Sequence, residues 1–263
     1  MSYFPLLGGL SVAMRVFICC CAVSCLMIFT VIAGASPLPA LETIVLRLER
    51  AQAGLRAQQQ PYTVTREYEF FKGESQEPAS RVLVKVDFQP PSMKTFTIEK
   101  AQGSGQGEKI VRRVLENEQA AAKDQDSHEI SSRNYNFRLI RGDMLQGHAC
   151  YVLQLIPKRD EKSSIRGEAW VDAETYLIRH VDGDLAKSPS WWVKDVHVTL
   201  EYGLMAGIWV QTSMHAVAHV RWLGQHELLA RDLDCFTAEN SQSARARARG
   251  RMVGAGTETQ MRP

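Results

Sequence analysis

The sequence predicts an α+β fold, in which one strongly curved antiparallel sheet of about ten strands curls around two helices. Segments of alternating apolar and polar residues recur at short spacing from Tyr62 to Cys235. Amphipathic helical patterns occur only in the first half of the chain. The composition, 45% hydrophobic and 23% charged, is that of a globular protein that can bury a sizeable core.

The N-terminus resembles an export signal. Arg15 precedes an uninterrupted apolar run, 16–32, and the small residues 33–36 follow it. This pattern predicts a signal peptide, residues 1–35, cleaved after Ala35, and a periplasmic protein. Two alternatives stay open: an uncleaved inner-membrane anchor, because the run is nearly long enough to span a bilayer, and lipidation at the weak lipobox 22–25.

Charge is unevenly distributed along a chain whose formal net charge is +2. The tail, 241–263, is rich in arginine and alanine, and we expect it to be disordered. Residues 36–240 are then predicted to form the folded domain. This body is close to neutral, which does not indicate nucleic-acid binding.

Two helices are predicted. The first runs from about Ala40 to Gln58, and Pro61 follows its end. The second runs from Glu108 to about Lys123, with apolar residues at helical spacing. The glycine-rich stretch 103–107 lacks the spacing of a nucleotide-binding loop, so we interpret it as a flexible turn.

The strands are predicted from period-two alternation and from the turn residues between them. The firmest is a hairpin in which Gly167–Val171 and Tyr176–Val181 flank the turn 172–175. Turns are also expected at 141–147 and 203–207. The remaining strands are predicted at 62–70, 82–88, 93–98, 135–139, 149–155, 192–202, 208–222 and 225–235.

Two short tracts resemble a known family. They are Gly147–Pro157, which reads GHACYVLQLIP, and Ala169–Asp172, which reads AWVD and is followed by Thr175 and Leu177. With the order of elements, they resemble the periplasmic outer-membrane lipoprotein carrier (lipoprotein-sorting) superfamily over residues 40–236. This group includes the lipid-sensing N-terminal domain of sigma-factor regulators.

The resemblance implies an open or half β-barrel that is lined by apolar side chains and lidded by the two helices. It also implies that the barrel binds acyl chains or other hydrophobic ligands in the periplasm. The carriers use a basic residue near the mouth to control release, and no equivalent can be placed here. The arginine-rich tail is not a feature of the family.

Ten residues are predicted to line an apolar ligand cavity, although a dry packed core would use the same side chains. They are Tyr68, Phe70, Val84, Val86, Phe96, Ile98, Tyr151, Leu153, Trp170 and Trp192. Adjacent strand residues face opposite ways, so at most one of Trp191 and Trp192 is expected to be buried. An exposed tryptophan there could mark a membrane or partner contact.

A hydrolase site is a further alternative that the sequence raises. If a hairpin pairs Tyr202 with Ile208, Ser213 faces His197 and Asp195 faces His215 on one polar face, which is the outline of a catalytic triad. However, a sheet face offers no oxyanion hole, and no G-x-S-x-G motif is present. His215 and His219 would lie about 13 Å apart on a strand, too far to share a metal. We therefore expect no catalytic residues, metal or cofactor.

Two cysteines lie outside the predicted signal, Cys150 and Cys235. In an exported protein they could form one disulfide, or they could be two small core residues.

The predicted function is a non-enzymatic, carrier-type binding protein for a lipid or a lipoprotein acyl chain. An inner- or outer-membrane protein could be a further partner. The alternatives are an envelope-sensing or protein-interaction module on the same fold and, third, a hydrolase that uses Ser213 and His197.

Overall fold

The computed structural model describes residues 38–159 and 164–237. The predicted signal, 1–35, and the tail, 241–263, lie outside the described residues. The helices are α1 (Leu41–Ala57), α2 (Gly105–Lys123) and α3 (Gln125–His128). The first five strands are β1 (Tyr62–Lys72), β2 (Ser80–Gln89), β3 (Met93–Gly103), β4 (Tyr135–Leu145) and β5 (His148–Pro157). The other five are β6 (Ile165–Asp172), β7 (Ile178–Leu185), β8 (Val193–Met205), β9 (Ile208–Val220) and β10 (Gly224–Thr237).

All ten strands form one antiparallel sheet with the order β3-β2-β1-β10-β9-β8-β7-β6-β5-β4. β1 and β10, the first and last strands in the sequence, pair along their length, from Tyr62 with Thr237 to Lys72 with His226. Within the described residues the sheet is open, because β3 and β4 are its two edges. The predicted fold class and both long helices are therefore confirmed. The four-residue helix α3 was not predicted, because one turn is too short to show helical periodicity.

The two long helices cover different parts of the same sheet face. Ile44 and Leu48 of α1 are fully buried in a cluster formed with β4–β7. Val111 and Leu115 of α2 are buried in a second cluster formed with β1, β2 and β10. Full burial of each such side chain contributes about 1.5–3 kcal/mol, so the apolar stripe of each helix determines where it packs.

The glycine-rich stretch 103–107 differs from the expected flexible turn. Gly103 ends β3 with a φ of 87°, and Gly105 begins α2. Gly107 is buried, and a Cβ added there would lie 2.4 Å from the Cβ and Oγ of Ser80. The glycine therefore lets the first turn of α2 approach β2, a close contact that the sequence pattern alone does not show.

Two turns are tighter than predicted. The β4–β5 turn consists of Gln146 and Gly147, not 141–147, because β4 continues to Leu145, which pairs with His148. The β8–β9 turn consists of Ala206 and Gly207, because Met205 pairs with Ile208. Both residues of each turn have positive φ, the geometry of tight hairpins. Neither turn has the Asn-Gly or Asp-Gly sequence that would have revealed it.

Candidate ligand-binding groove

The helix-facing side of β8 and β9 lies between the two parts of the sheet that α1 and α2 cover. Five of its side chains are only partly buried: Leu200, Tyr202, Met214, Ala216 and Ala218. These five residues are called the central groove. Their alternation along paired strands puts them on one face of the sheet, and two of the five are alanines, whose side chains are a single methyl group.

The groove is continuous with the apolar clusters on both sides. Leu200 packs against the α1 cluster and also against the buried Val193, Val196 and Val198 of β8. Met214 and Ala216 pack against those valines and against the α2 cluster. An apolar surface therefore crosses the sheet from one helix to the other, and its middle is the part with incomplete cover.

Most of the ten predicted cavity residues lie beneath the helices. Tyr68, Phe70, Val84 and Val86 are at most 2% exposed in the α2 cluster, and Leu153 is fully buried in the α1 cluster. Phe96 and Ile98 are partly buried at the α2 cluster, as Tyr151 is at the α1 cluster. None of these residues belongs to the central groove, because the helices cover them.

Trp170 lies on the opposite face of the sheet. Its neighbours Ala169 and Val171 are buried in the α1 cluster, and strand alternation turns Trp170 the other way. The indole N–H donates to Asp143 Oδ2 at 3.2 Å, and the Arg141 guanidinium lies 5.7 Å from the ring centroid. Trp192 precedes β8 in a loop and is 39% exposed.

The five residues of the central groove are not among the ten that the sequence predicts to line a cavity. The alternating apolar residues of β8 and β9 were recognised as strands, but their position between the helices was not. The only local signal is the pair of small residues Ala216 and Ala218, which cannot fill the space that a larger side chain would occupy.

A charged network borders the groove at α2 and is called the Arg66 network; it comprises Arg66, Asp232, Glu118, Lys94 and Tyr68. The Arg66 guanidinium donates to both carboxylate oxygens of Asp232 and, at 3.0 Å and 3.2 Å, to those of Glu118. Lys94 Nζ donates to Glu118 Oε2 at 2.6 Å. Arg66 is only 6% exposed, so these charged hydrogen bonds compensate for its removal from water.

The charges of the Arg66 network shift the pKa values of Glu118 and of the nearby Tyr202. Burial raises the pKa of Glu118, but the cations Lys94 and Arg66 outweigh that effect, and its pKa is lowered. Glu118 is therefore ionised at neutral pH. Burial raises the pKa of Tyr202 to about 12, with smaller contributions from the charges of Glu118 and Tyr135. The groove thus contains a neutral tyrosine hydroxyl near the network.

The geometry of the considered hydrolase triad is contradicted. Ser213 pairs with Glu201, and Asp195 pairs with His219, because the β8–β9 turn is shorter than expected. His197 contacts Asp184 at 2.9 Å and Asp182 at 3.2 Å instead of Ser213. The serine and histidine therefore do not meet.

The two cysteines outside the predicted signal are free. Cys150 is on β5 and Cys235 is on β10, and four strands lie between these two in the sheet order. This arrangement does not support the disulfide that was considered from the sequence.

Neither a membrane-spanning helix nor a metal cluster is found in the described part of the chain. No helix there combines the length and apolarity needed to cross a bilayer. The same residues contain no group of three or more histidine, cysteine or carboxylate side chains placed to hold a metal.

Comparisons with known proteins give a family model and several solved structures. A family model described as "Uncharacterized protein" matches residues 92–221, and no curated protein matches the chain. A DUF1329 family protein from Desulfovibrio piger is 13% identical, with 76% of this chain and 94% of that chain covered and a TM-score of 0.43.

Two further structures are described by the superfamily name that the sequence tracts suggested. A putative outer membrane lipoprotein-sorting protein domain from Vibrio parahaemolyticus is 15% identical and covers 75% of this chain and 93% of its own, with a TM-score of 0.40. A LolA superfamily protein from Nitrosomonas europaea is 10% identical and covers 76% of this chain and 94% of its own, with a TM-score of 0.37.

Proposed function

We propose that this protein binds a hydrophobic ligand, a lipid or a lipoprotein acyl chain, in the central groove, and that it acts as a periplasmic carrier. The observation that carries the proposal is the incomplete cover of the groove, where apolar side chains of β8 and β9 stay partly exposed between two buried clusters. Partly exposed apolar side chains that lie side by side are stabilised when a partner covers them.

The groove has dimensions suited to a chain-like ligand. From Val196 to Tyr202 the strand extends for roughly 20 Å, and the apolar side chains alternate along this length on the helix-facing side. Each methylene of a ligand buried there contributes about 0.8 kcal/mol. The ligand therefore gains affinity from its length, as an acyl chain does.

A polar contact is available beside the apolar surface. The Tyr202 hydroxyl is protonated at neutral pH, as an ordinary tyrosine is, and burial raises its pKa further, to about 12. A protonated hydroxyl can donate a hydrogen bond to an ester or amide carbonyl of an acylated ligand. Binding in this arrangement needs no covalent chemistry.

The test is native mass spectrometry of the protein recovered from a bacterial periplasm, followed by extraction of bound lipid. We expect a co-purifying acyl ligand in the wild type and its loss in Ala216→Lys, which places a charge in the groove. Val217→Lys is the matched control, because Val217 is the next residue of β9 and faces the opposite side of the sheet.

The proposal fails if the wild type has the mass of the protein alone and takes up no added lipid or lipopeptide. A protein-interaction module would then be the better interpretation of the fold. Equal ligand loss in Ala216→Lys and Val217→Lys would also contradict binding in the groove, because it would indicate a general effect on folding.

A further inference from the structure

Two loops at one end of the sheet form an exposed aromatic surface. Trp191 and Trp222 are 75% and 82% exposed, Leu223 is 64% exposed and Trp192 is 39% exposed. These four residues are called the tryptophan patch. Trp191 and Trp192 come from the β7–β8 loop, and Trp222 and Leu223 come from the β9–β10 turn. Large apolar side chains exposed together are uncommon unless they have a partner.

The patch is held in place by hydrogen bonds between and within its loops. The backbone N–H of Arg221 donates to the carbonyl of Trp192 at 2.8 Å and joins the two loops. The Val193 N–H donates to the Ser190 carbonyl at 3.1 Å, which forms the turn that presents Trp191. The indoles of Trp191 and Trp222 meet edge to face, with centroids 6.0 Å apart. The loops therefore present the indoles without needing a partner to order them.

Trp222 has a backbone conformation that its side chain does not favour. Its φ is 65°, in the left-handed region that glycine and asparagine adopt more readily. The side chain is largely exposed, so packing compensates little for this conformation. The fold therefore gains little from tryptophan at this position, which makes Trp222 a candidate for a contact outside the chain.

The two loops that form the patch are themselves basic. The segments 186–194 and 220–226 contain Lys187, Lys194 and Arg221 and no carboxylate. All three cations are exposed, and none has an ion pair within the described part of the chain. Carboxylates border these segments: Asp195 and Glu227 follow them directly in the sequence, and the neighbouring β1–β2 turn carries Glu74 and Glu77.

We propose that the tryptophan patch is a membrane-docking surface, which places its indoles in the interfacial region of a bilayer that contains anionic lipids. Tryptophan prefers this region because its ring is apolar and its N–H can reach polar groups. Basic side chains beside it attract anionic headgroups. Convex loop tips fit a soft lipid interface, whereas a protein partner would need a complementary pocket.

Docking would bring one end of the central groove to the membrane. Ala218 of the groove is two residues before Val220, and Arg221 and Trp222 follow directly on the β9–β10 turn. The docking proposal is independent of ligand binding in the groove, but together the two would allow a ligand to pass between the groove and the bilayer.

The first test measures binding of the periplasm-recovered protein to large vesicles by sedimentation. We compare phosphatidylglycerol–phosphatidylcholine vesicles with pure phosphatidylcholine vesicles, and we use brominated acyl chains to quench inserted tryptophans. Wild-type protein is expected to bind the anionic vesicles more tightly and to be quenched. Absence of binding, or equal binding to both vesicles without quenching, overturns the proposal and leaves a protein partner for the patch.

The decisive variant is Trp222→Asn, because asparagine tolerates the left-handed backbone. We expect its melting temperature to be unchanged or raised, while partitioning onto anionic vesicles falls roughly tenfold or more. Trp209→Phe is the control at a tryptophan outside the patch, and it should bind as the wild type does. Unchanged binding by Trp222→Asn contradicts docking through the patch.

The charge contribution is tested with Arg221→Gln, which should weaken binding to anionic vesicles by roughly fivefold. Arg138→Gln on the edge strand β4 is the matched control and should have no effect. The groove variant Ala216→Lys should still bind vesicles. If the wild type carries lipid but does not bind vesicles, the docking proposal alone is wrong. If the wild type binds vesicles but carries no lipid and takes up none, the proposed function alone is wrong.

Discussion

Asp172 is a buried carboxylate that closes the turn between β6 and β7. Its Oδ1 accepts the backbone N–H groups of Glu174 and Thr175 at 2.9 Å and 2.7 Å, and Arg179 Nε donates to Oδ2 at 2.5 Å. Burial raises the pKa of Asp172, but these hydrogen bonds outweigh burial and lower the pKa to about 2. The folded state therefore stabilises the ionised form.

We expect Asp172→Ala to lower the free energy of unfolding by about 2–4 kcal/mol at pH 7, because it leaves buried donors and Arg179 without their acceptor. The folded-state pKa lies below the ordinary value, so this stability is present above about pH 4 and is lost as the pH falls towards 2. Urea unfolding at several pH values measures it. A difference between variant and wild type that stays constant down to pH 2 would contradict the assignment.

His197 has the opposite dependence on pH. Its hydrogen bond to Asp184 raises its pKa, burial lowers it, and the second carboxylate, Asp182, raises it further. The net pKa of His197 is raised, so the protonated ring stabilises the fold at pH values below the ordinary histidine pKa of about 6.5. This stabilisation is lost as the pH rises through the folded-state pKa. A titration of the imidazole by NMR should give a pKa above 6.5, and Asp184→Asn should lower it. No response to Asp184→Asn would exclude this carboxylate as the main cause.

At the scale of one element, α2 depends on close contact at its start and on charge further along. Gly107 lets the first turn lie against Ser80 and Phe70. One helical turn beyond Leu115, Glu118 ties the helix to Arg66 of β1 and Lys94 of β3. The helix is therefore attached to the sheet by steric fit at its first turn and by the Arg66 network further along.

Gly107→Ala and Gly105→Ala form a matched pair that tests this contact. Alanine favours helix by about 1 kcal/mol over glycine in an interior position, and Gly105 has no atom within 4 Å of its added Cβ. Gly105→Ala should therefore be neutral or stabilising. Gly107→Ala should lose about 1–3 kcal/mol, because its Cβ would overlap Ser80. Thermal unfolding compares the two, and a stabilising Gly107→Ala would show that α2 can shift without cost.

At the scale of the whole molecule, β1 pairs with β10, so the first strand of the chain is joined to the last one in the middle of the sheet. Tyr68 of β1 pairs with Ala230 of β10, and both belong to the α2 cluster. Removing β10 would expose the edge of β1 and of β9 together and open that cluster. The sheet thus depends on a contact between residues far apart in the chain, which is expected to slow folding.

Truncation after Arg221 should therefore abolish cooperative unfolding, since it removes β10 entirely. Truncation after Glu239 keeps all ten strands and should retain a sharp transition. Circular dichroism during heating distinguishes these results. A cooperative transition in the shorter protein would mean that β1–β3 with α2 and β4–β9 with α1 are stable without the strand between them.

The sequence by itself determined the kinds of elements and their order. The alternation in Tyr62–Phe70 and the helical spacing of Leu41, Ile44 and Leu48 are local patterns, so they predicted a strand and a helix that the structure contains. The turn after Asp172 was predicted for the same reason, because its hydrogen bonds join residues that are close in the chain.

Only the tertiary structure decided which apolar positions stay open. The sequence predicted that Trp170 lines a cavity, and it raised Ser213 opposite His197 only as an alternative. In the structure Trp170 lies on the other face of the sheet, and the β8–β9 register separates the serine from the histidine. The central groove, the Arg66 network and the tryptophan patch all join residues from distant segments. Their arrangement depends on register and helix placement, which follow from the packing of the whole sheet and not from any local pattern.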